Sequence, residues 1–131
     1  MFVFCIFIQN EQMKYAFLIF IFFLTACKED DNEIICTTEF VYGLNITVKN
    51  ADTNMIITEG ITVIATDGNF EEQLMNMVGS DSFVGAGERA GNYVIEITSS
   101  NYQTYISEVI VIDEDVCHVI PKVLEVLLQP N

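Results

Sequence analysis

A period of two is clearest in the stretch Phe40-Val-Tyr-Gly-Leu-Asn-Ile-Thr-Val48. Its even-numbered positions are all apolar, whereas Asn45, Thr47 and the following Lys49 are polar. Successive side chains of a β-strand point to opposite faces, so this alternation indicates a strand with one buried face. We predict that the strand runs from Cys36 to Val48.

The same period recurs along the rest of the chain, between short turn signals. The turn signals include the residues from Lys49 to Asn54, the pair Asp67-Gly68 and the glycine-rich segment from Gly85 to Gly91. Six more strands are predicted, at residues 61–66, 70–78, 82–84, 93–98, 105–112 and 116–128. Segment 70–78 is also compatible with a short helix, and Pro121 should break or bulge the last strand. About seven strands without a long helical pattern predict an all-β fold, an antiparallel β-sandwich.

Composition limits the domain count and the class of partner. The chain has 131 residues, 51% of them hydrophobic, and a formal net charge of -14. All of its 19 acidic residues except Glu11 follow Ala26, and the basic residues after Ala26 are Lys28, Lys49, Arg89 and Lys122. A mature chain of this size supports one compact domain. Its negative charge would repel a phosphate backbone, so nucleic acid is excluded as a partner.

The first 26 residues have the order of a secretory signal peptide. Met13-Lys14 precedes an unbroken apolar run from Tyr15 to Leu24, and the small residues Thr25-Ala26 follow it. The run is too short for a spanning helix, which needs about 20 residues. We predict a signal peptide over residues 1–26, with Met13 as the expected true start, so that the segment before it, including Cys5, is absent from the protein.

The end of this leader resembles the lipobox of bacterial lipoproteins, on the four residues Leu24-Thr25-Ala26-Cys27. The resemblance implies that Cys27 is acylated and becomes the first residue of the mature protein, which is then held to a membrane by its lipid. The alternative is a generic signal peptide with an incidental cysteine.

An acidic segment follows, and we assign residues 27–35 to the acylated cysteine and its tether. Lys28-Glu29-Asp30-Asp31 resembles an export signal that sends some lipoproteins to the outer face of the outer membrane. The resemblance implies a location on the cell surface. The alternative is that the segment is a solvated tether without an export signal and that the domain lies on the periplasmic face.

The domain itself, residues 36–131, resembles a known family. The resemblance rests on five motifs in order: Gly43-Leu-Asn-Ile-Thr-Val48, Thr62-Val-Ile-Ala65 with Asp67-Gly68, Gly91-Asn-Tyr-Val-Ile-Glu-Ile97, Asn101-Tyr-Gln-Thr-Tyr105 and Val123-Leu-Glu-Val-Leu-Leu-Gln-Pro130. Together they are similar to the carboxypeptidase regulatory-like domain, although Asn101 stands where that family has glycine. The resemblance implies an Ig-like, transthyretin-like β-sandwich of about seven strands that serves as a non-catalytic folding or binding module.

Cys36 and Cys117 are the thiols that remain once Cys27 is acylated and Cys5 is lost. The envelope is an oxidising compartment, so we predict a disulfide between them. The alternative is two buried free thiols. Cys36 has the same parity as Phe40 and Tyr42, which predicts an inward position near the start of the first strand.

No residue pattern predicts catalysis, a metal or a cofactor. His118, the only histidine, should be a surface or half-buried structural residue, because adjacent strand residues face opposite ways and Cys117 therefore cannot converge with it. Asp113, Glu114 and Asp115 could bind calcium together with the 52–54 loop, but a solvated turn is the favoured interpretation. No pair of carboxylates stands out as a hydrolase pair. The sequence therefore predicts a protein that is not an enzyme.

These features predict a lipid-anchored lipoprotein of the outer membrane that acts as a non-catalytic binding or structural accessory. Its partners would be the membrane, through the lipid, and a protein or glycan. Two alternatives stay open: an accessory subunit of an outer-membrane transporter and a carboxylate-dependent hydrolase.

Overall fold

A computed structural model of the protein describes residues 34–131, and residues 35–131 of it form one compact unit. These residues contain nine β-strands. The strands are β1 (Tyr42–Asn50), β2 (Ile61–Asp67), β3 (Phe70–Gln73), β4 (Met75–Asn76), β5 (Phe83–Gly87), β6 (Gly91–Ser99), β7 (Tyr105–Ile106), β8 (Ile110–Ile112) and β9 (Lys122–Leu128). In this part of the chain there is no helix long and apolar enough to span a membrane.

The strands form two sheets that pack as a sandwich, which confirms the predicted all-β fold. The first sheet has the order β4-β5-β1-β9, and the second has β3-β2-β6-β7 with β8 also paired to β6. All pairs are antiparallel except β1 with β9, which run parallel in a register that starts at Leu44 opposite Lys122. The parallel pair is a feature that the predicted antiparallel sandwich did not include.

Two of the predicted strands are divided, which raises the count from seven to nine. Leu74 separates β3 from β4, and the chain crosses there from the second sheet to the first. Segment 105–112 is divided by a β-bulge, since Ile106 lies opposite Glu96 but Ile110 lies opposite Tyr93. From Ile106 to Ile110 the chain advances four residues, whereas from Glu96 to Tyr93 on β6 it advances three. The β7–β8 segment therefore has one extra residue, which defines the bulge.

The core lies between the sheets, where the predicted alternation places it. Leu44, Ile46 and Val48 of β1 are fully buried, and so are Tyr93 and Ile97 of β6. Each such side chain contributes about 1.5–3 kcal/mol of transfer free energy. The inward faces of these two central strands therefore supply much of the driving force for folding.

The first strand begins later than predicted, at Tyr42, and the residues before it lie on the surface. Phe40 is 59% exposed rather than part of the buried face, and Cys36 is exposed as well. The reason is a contact that alternation does not describe: the Phe40 ring lies directly on Gly87, where any Cβ would collide with it. Gly87 belongs to β5, so the predicted glycine-rich turn begins three residues too early.

Candidate functional site

Three segments meet at the end of the sandwich where β1 begins. They are the entry segment before β1 (36–41), the corner between β5 and β6 (87–91) and the loop between β8 and β9 (113–121). Six residues of these segments are linked by a disulfide or hydrogen bonds, and we call them the entry clasp: Cys36, Thr37, Glu88, Asp115, Cys117 and His118.

The covalent part of the entry clasp is the disulfide between Cys36 and Cys117, as predicted. The two Cα atoms are 5.3 Å apart, and the bridge closes a separation of 81 residues. Its location differs from the prediction, because Cys36 is exposed and Cys117 is half-buried. The bridge therefore ties the entry segment to the outside of the domain and does not cross the core.

His118 forms the second link between the same segments. Its Nδ1 lies 2.9 Å from Glu88 Oε1, and its Nε2 lies 3.0 Å from Thr37 Oγ1. The same Glu88 oxygen accepts a hydrogen bond from the backbone N–H of Val41, at 2.8 Å. The imidazole thus connects the entry segment with the β5–β6 corner, the structural role predicted for this histidine.

Asp115 shapes the loop that presents Cys117 and His118. Its Oδ1 accepts hydrogen bonds from the backbone N–H of Cys117 at 2.7 Å and of His118 at 2.8 Å. The chain bends at residues 116–118 instead of forming a strand, and β9 starts only after Pro121. The prediction that Cys117 and His118 point to opposite faces of a strand is therefore wrong. Both side chains contact the entry segment.

A second group of contacts makes the β5–β6 corner rigid beside Glu88. Arg89 Nη1 donates to Asp67 Oδ2 at 2.8 Å and to the hydroxyl of Tyr93 at 2.6 Å, and the guanidinium lies 4.0 Å from the centre of the Phe70 ring. These contacts join the β2–β3 hairpin, the corner and a core tyrosine. Glu88, the residue before Arg89, has a left-handed backbone conformation with φ of 47°.

Both carboxylates of the entry clasp are stabilised in the charged form. The backbone N–H of Val41, followed by His118, holds the pKa of Glu88 below its usual value. The backbone N–H groups of His118 and Cys117 lower the pKa of Asp115 in the same way. Hydrogen bonds to a carboxylate favour ionisation, so these groups favour the folded state while they are charged.

The folded domain is therefore expected to lose stability in acid. A carboxyl group whose pKa is lowered on folding stabilises the protein above its unfolded pKa, and that contribution is lost as the pH falls through the folded pKa. For Glu88 the loss begins below its ordinary value of 4.5. We expect the thermal unfolding midpoint of Glu88→Gln to fall less than that of the wild type between about pH 6 and about pH 3.5.

The control for this experiment is Glu59→Gln, which changes an exposed carboxylate outside the entry clasp. Its acid dependence should match that of the wild type. An unchanged pH dependence in Glu88→Gln would mean that the ionisation of Glu88 does not contribute to the stability of the fold.

In the entry clasp a carboxylate (Glu88) and a hydroxyl (Thr37) contact the two ring nitrogens of His118. The catalytic triad of serine hydrolases has the same order of groups. That chemistry also needs hydrogen-bond donors aimed at a developing oxyanion. The backbone N–H groups of Cys117 and His118 are already bonded to Asp115. The recess beside them, about 400 Å³, is an open one formed mainly by the 114–119 loop and Glu88. The contacts that the structure shows are those that hold the entry segment to the β5–β6 corner and to the 114–119 loop.

Within residues 34–131, no group of three His, Cys, Asp or Glu side chains is placed to hold a metal ion. The calcium alternative joined the 113–115 acids to the 52–54 loop. The structure separates these segments, because the first lies by the start of β1 and the second follows its end. A strand of this length spans about 25 Å.

The structure leaves some predicted site residues untested and adds others. The acylation site Cys27 and the export signal Lys28, Glu29, Asp30 and Asp31 lie outside the described residues. Thr37 and Glu88 were not predicted. They lie 81 and 30 residues from His118 in the sequence, and neither carries a motif that would have pointed to it. The chain matches no family model and no curated protein.

Proposed function

We propose that this protein is a lipid-anchored lipoprotein of the cell envelope whose β-sandwich is a non-catalytic binding or structural accessory module. The leader and Cys27 support the anchor. The observation that carries the proposal is the entry clasp, which fastens the chain to the domain nine residues after Cys27 by a disulfide and a bridging histidine. An attachment of this kind suits a domain held at one end by a tether.

The tether sets how far the domain can stand from the bilayer. Residues 28–35 separate Cys27 from the disulfide-bonded Cys36. A fully extended chain covers at most about 3.6 Å per residue, so the first residue of the entry clasp would lie within about 30 Å of the anchor. The domain would therefore work close to the membrane surface, which we place at the outer face of the outer membrane.

Charge supports a binding role and limits the partner. In the described part of the chain Lys49 pairs with Glu125 and Arg89 pairs with Asp67, which leaves most of the acidic side chains without a basic neighbour. A surface of this kind favours a cationic partner and disfavours nucleic acid. The resemblance to the carboxypeptidase regulatory-like domain supports a binding module as well.

The anchor is tested by replacing Cys27 with serine in cells that carry the full chain. We expect the wild type in the membrane fraction and the Cys27→Ser protein released from it, because a serine hydroxyl cannot carry the thioether-linked diacylglycerol. The matched control is Asn32→Ser, which changes a residue of the tether and should leave the protein in the membrane fraction. Membrane retention of the Cys27→Ser protein would contradict the proposal.

Orientation is measured separately, with protease added to intact cells. Digestion of the domain is the expected result for a surface location. Complete protection would place the domain on the periplasmic face instead.

A further inference from the structure

The sandwich is open along one side, between β9 of the first sheet and the β7–β8 segment of the second. A groove of about 330 Å³ runs there. Its lining includes four aliphatic side chains that face the core. They are Ile46 of β1, Ile95 of β6, and Leu124 and Val126 of β9. Ile46, Ile95 and Val126 are buried, so an apolar side chain placed in this groove would first contact the partly buried Leu124, at the margin of the core.

The β9 edge beside the groove is a free strand edge. Among residues 34–131, β9 pairs with β1 and with no other strand. The free stretch is bounded by Pro121 before β9 and by a bridge between Tyr102 and Pro130 after it. A strand edge of seven residues carries alternating backbone N–H and C=O groups that another extended chain can pair with.

The opposite wall is formed by the β-bulge between β7 and β8. Ser107 uses both its backbone and its side chain to bond Ile95, with its N–H donating to the Ile95 carbonyl at 2.9 Å and its Oγ accepting from the Ile95 N–H at 2.8 Å. These bonds satisfy β6 at the bulge and leave Glu108 and Val109 exposed beside the groove. The wall is thus fixed in place without closing the sandwich.

Exposed apolar side chains occur on the outer face of β9 and in the opposite wall of the groove. Val123 of β9 is 75% exposed, and Val109 in the opposite wall is 61% exposed. Natural edge strands are commonly protected by lysine or by short length. β9 has seven residues, and its only lysine, Lys122, is the first of them. The remaining six residues carry a single charged side chain, that of Glu125. This edge is therefore open to pairing.

Among residues 34–131, the charged residues that line the groove are Glu108 and Glu125, and Lys122 at the start of β9 is not part of the lining. Glu125 also pairs with Lys49 on the neighbouring strand. A second copy of this chain would bring another acidic edge to the same place, so charge disfavours a homodimer. The site thus combines the free backbone groups of β9, the aliphatic lining of the groove and the carboxylates of Glu108 and Glu125. An extended peptide with alternating apolar and basic side chains is complementary to this combination.

We propose that the groove beside β9 binds an extended polypeptide segment of this chemistry, which adds a strand to the first sheet. The inference deepens the binding role proposed above and rests on it, but it does not depend on the membrane anchor. The backbone of the segment pairs with Lys122–Leu128, its apolar side chains enter the groove, and its basic side chains approach Glu108 and Glu125.

The test uses the full chain in detergent and a fluorescent, end-blocked octapeptide of alternating lysine and valine, with affinity measured by anisotropy. Two N-methylated versions of the peptide are compared. One, the first frame, is methylated on the backbone nitrogens of all lysines, and the other, the second frame, on those of all valines. Only every second N–H of an added strand points toward its neighbour, so one frame should lower the affinity by about tenfold or more and the other should change it little. Glu108→Gln with Glu125→Gln should weaken binding several-fold, whereas the control pair Glu59→Gln with Glu71→Gln should not.

Three results would overturn the proposal. The first is the absence of octapeptide binding, and the second is an equal response to both N-methylation frames or to both pairs of glutamate variants. The third is a wild-type dimer that the groove variants dissociate, which would assign the edge to a second copy of the chain. Release of the Cys27→Ser protein is read from membrane fractions, so failure of the anchor and failure of this site are distinguishable.

Discussion

Replacing Cys36 and Cys117 together with serine is expected to lower the free energy of unfolding by about 4.5 kcal/mol. The disulfide closes a separation of 81 residues, which spans most of the domain. In the chain-entropy treatment a loop of this size restricts the unfolded chain by about that amount. Small domains have a total stability of about 5–15 kcal/mol, so the loss is a large fraction of the whole.

The measurement is thermal and denaturant unfolding of the wild type and the double variant. For a domain of this size 1 kcal/mol corresponds to about 4–8 °C, so the unfolding midpoint should fall by about 20 °C or more. A reducing agent should lower the midpoint of the wild type to that of the double variant and leave the double variant unchanged. Equal midpoints for the oxidised wild type and the double variant would show that the bridge does not stabilise the fold.

The second large effect is expected in the core, from Ile46→Ala. Ile46 is fully buried in the middle of β1, between its neighbours β5 and β9. Removing three buried carbons loses their transfer free energy and leaves a cavity, which costs about 2–5 kcal/mol. Chemical denaturation should report this loss as a lower midpoint with an unchanged slope.

Thr47→Ala is the matched control, because Thr47 follows Ile46 on the same strand and faces the other side of the sheet. A substitution there should lower the free energy of unfolding by about 1 kcal/mol or less, the range of intrinsic strand preferences. Similar losses for the two variants would contradict the assignment of the inward face of β1.

Much of the sheet structure was predictable from local alternation. Leu44, Ile46 and Val48 on β1 and Tyr93 on β6 are buried as the period of two predicts. This succeeds because the side-chain direction in a strand is a local property of the backbone. Segment 70–78 was correctly assigned to strands, although its division at Leu74 depends on which sheet each half joins.

The entry clasp was only partly predictable. Pairing Cys36 with Cys117 followed from counting thiols, but their surface position did not. Glu88 and Thr37 reach His118 because a sandwich brings its entry segment, the β5–β6 corner and the β8–β9 loop to one end. Hydrogen bonds between such distant residues leave no periodic trace in a sequence.

What the order of residues settles here is the class of local structure: extended strands with one apolar face, turns at glycine and asparagine, and two thiols available to pair. What the packed domain settles is which segments become neighbours, including the parallel pairing of β1 with β9, the bulge that divides β7 from β8 and the position of Phe40 on Gly87. Alternation acts between adjacent residues, whereas these contacts join residues tens of positions apart. They form only when the two sheets come together and bury their faces as one core.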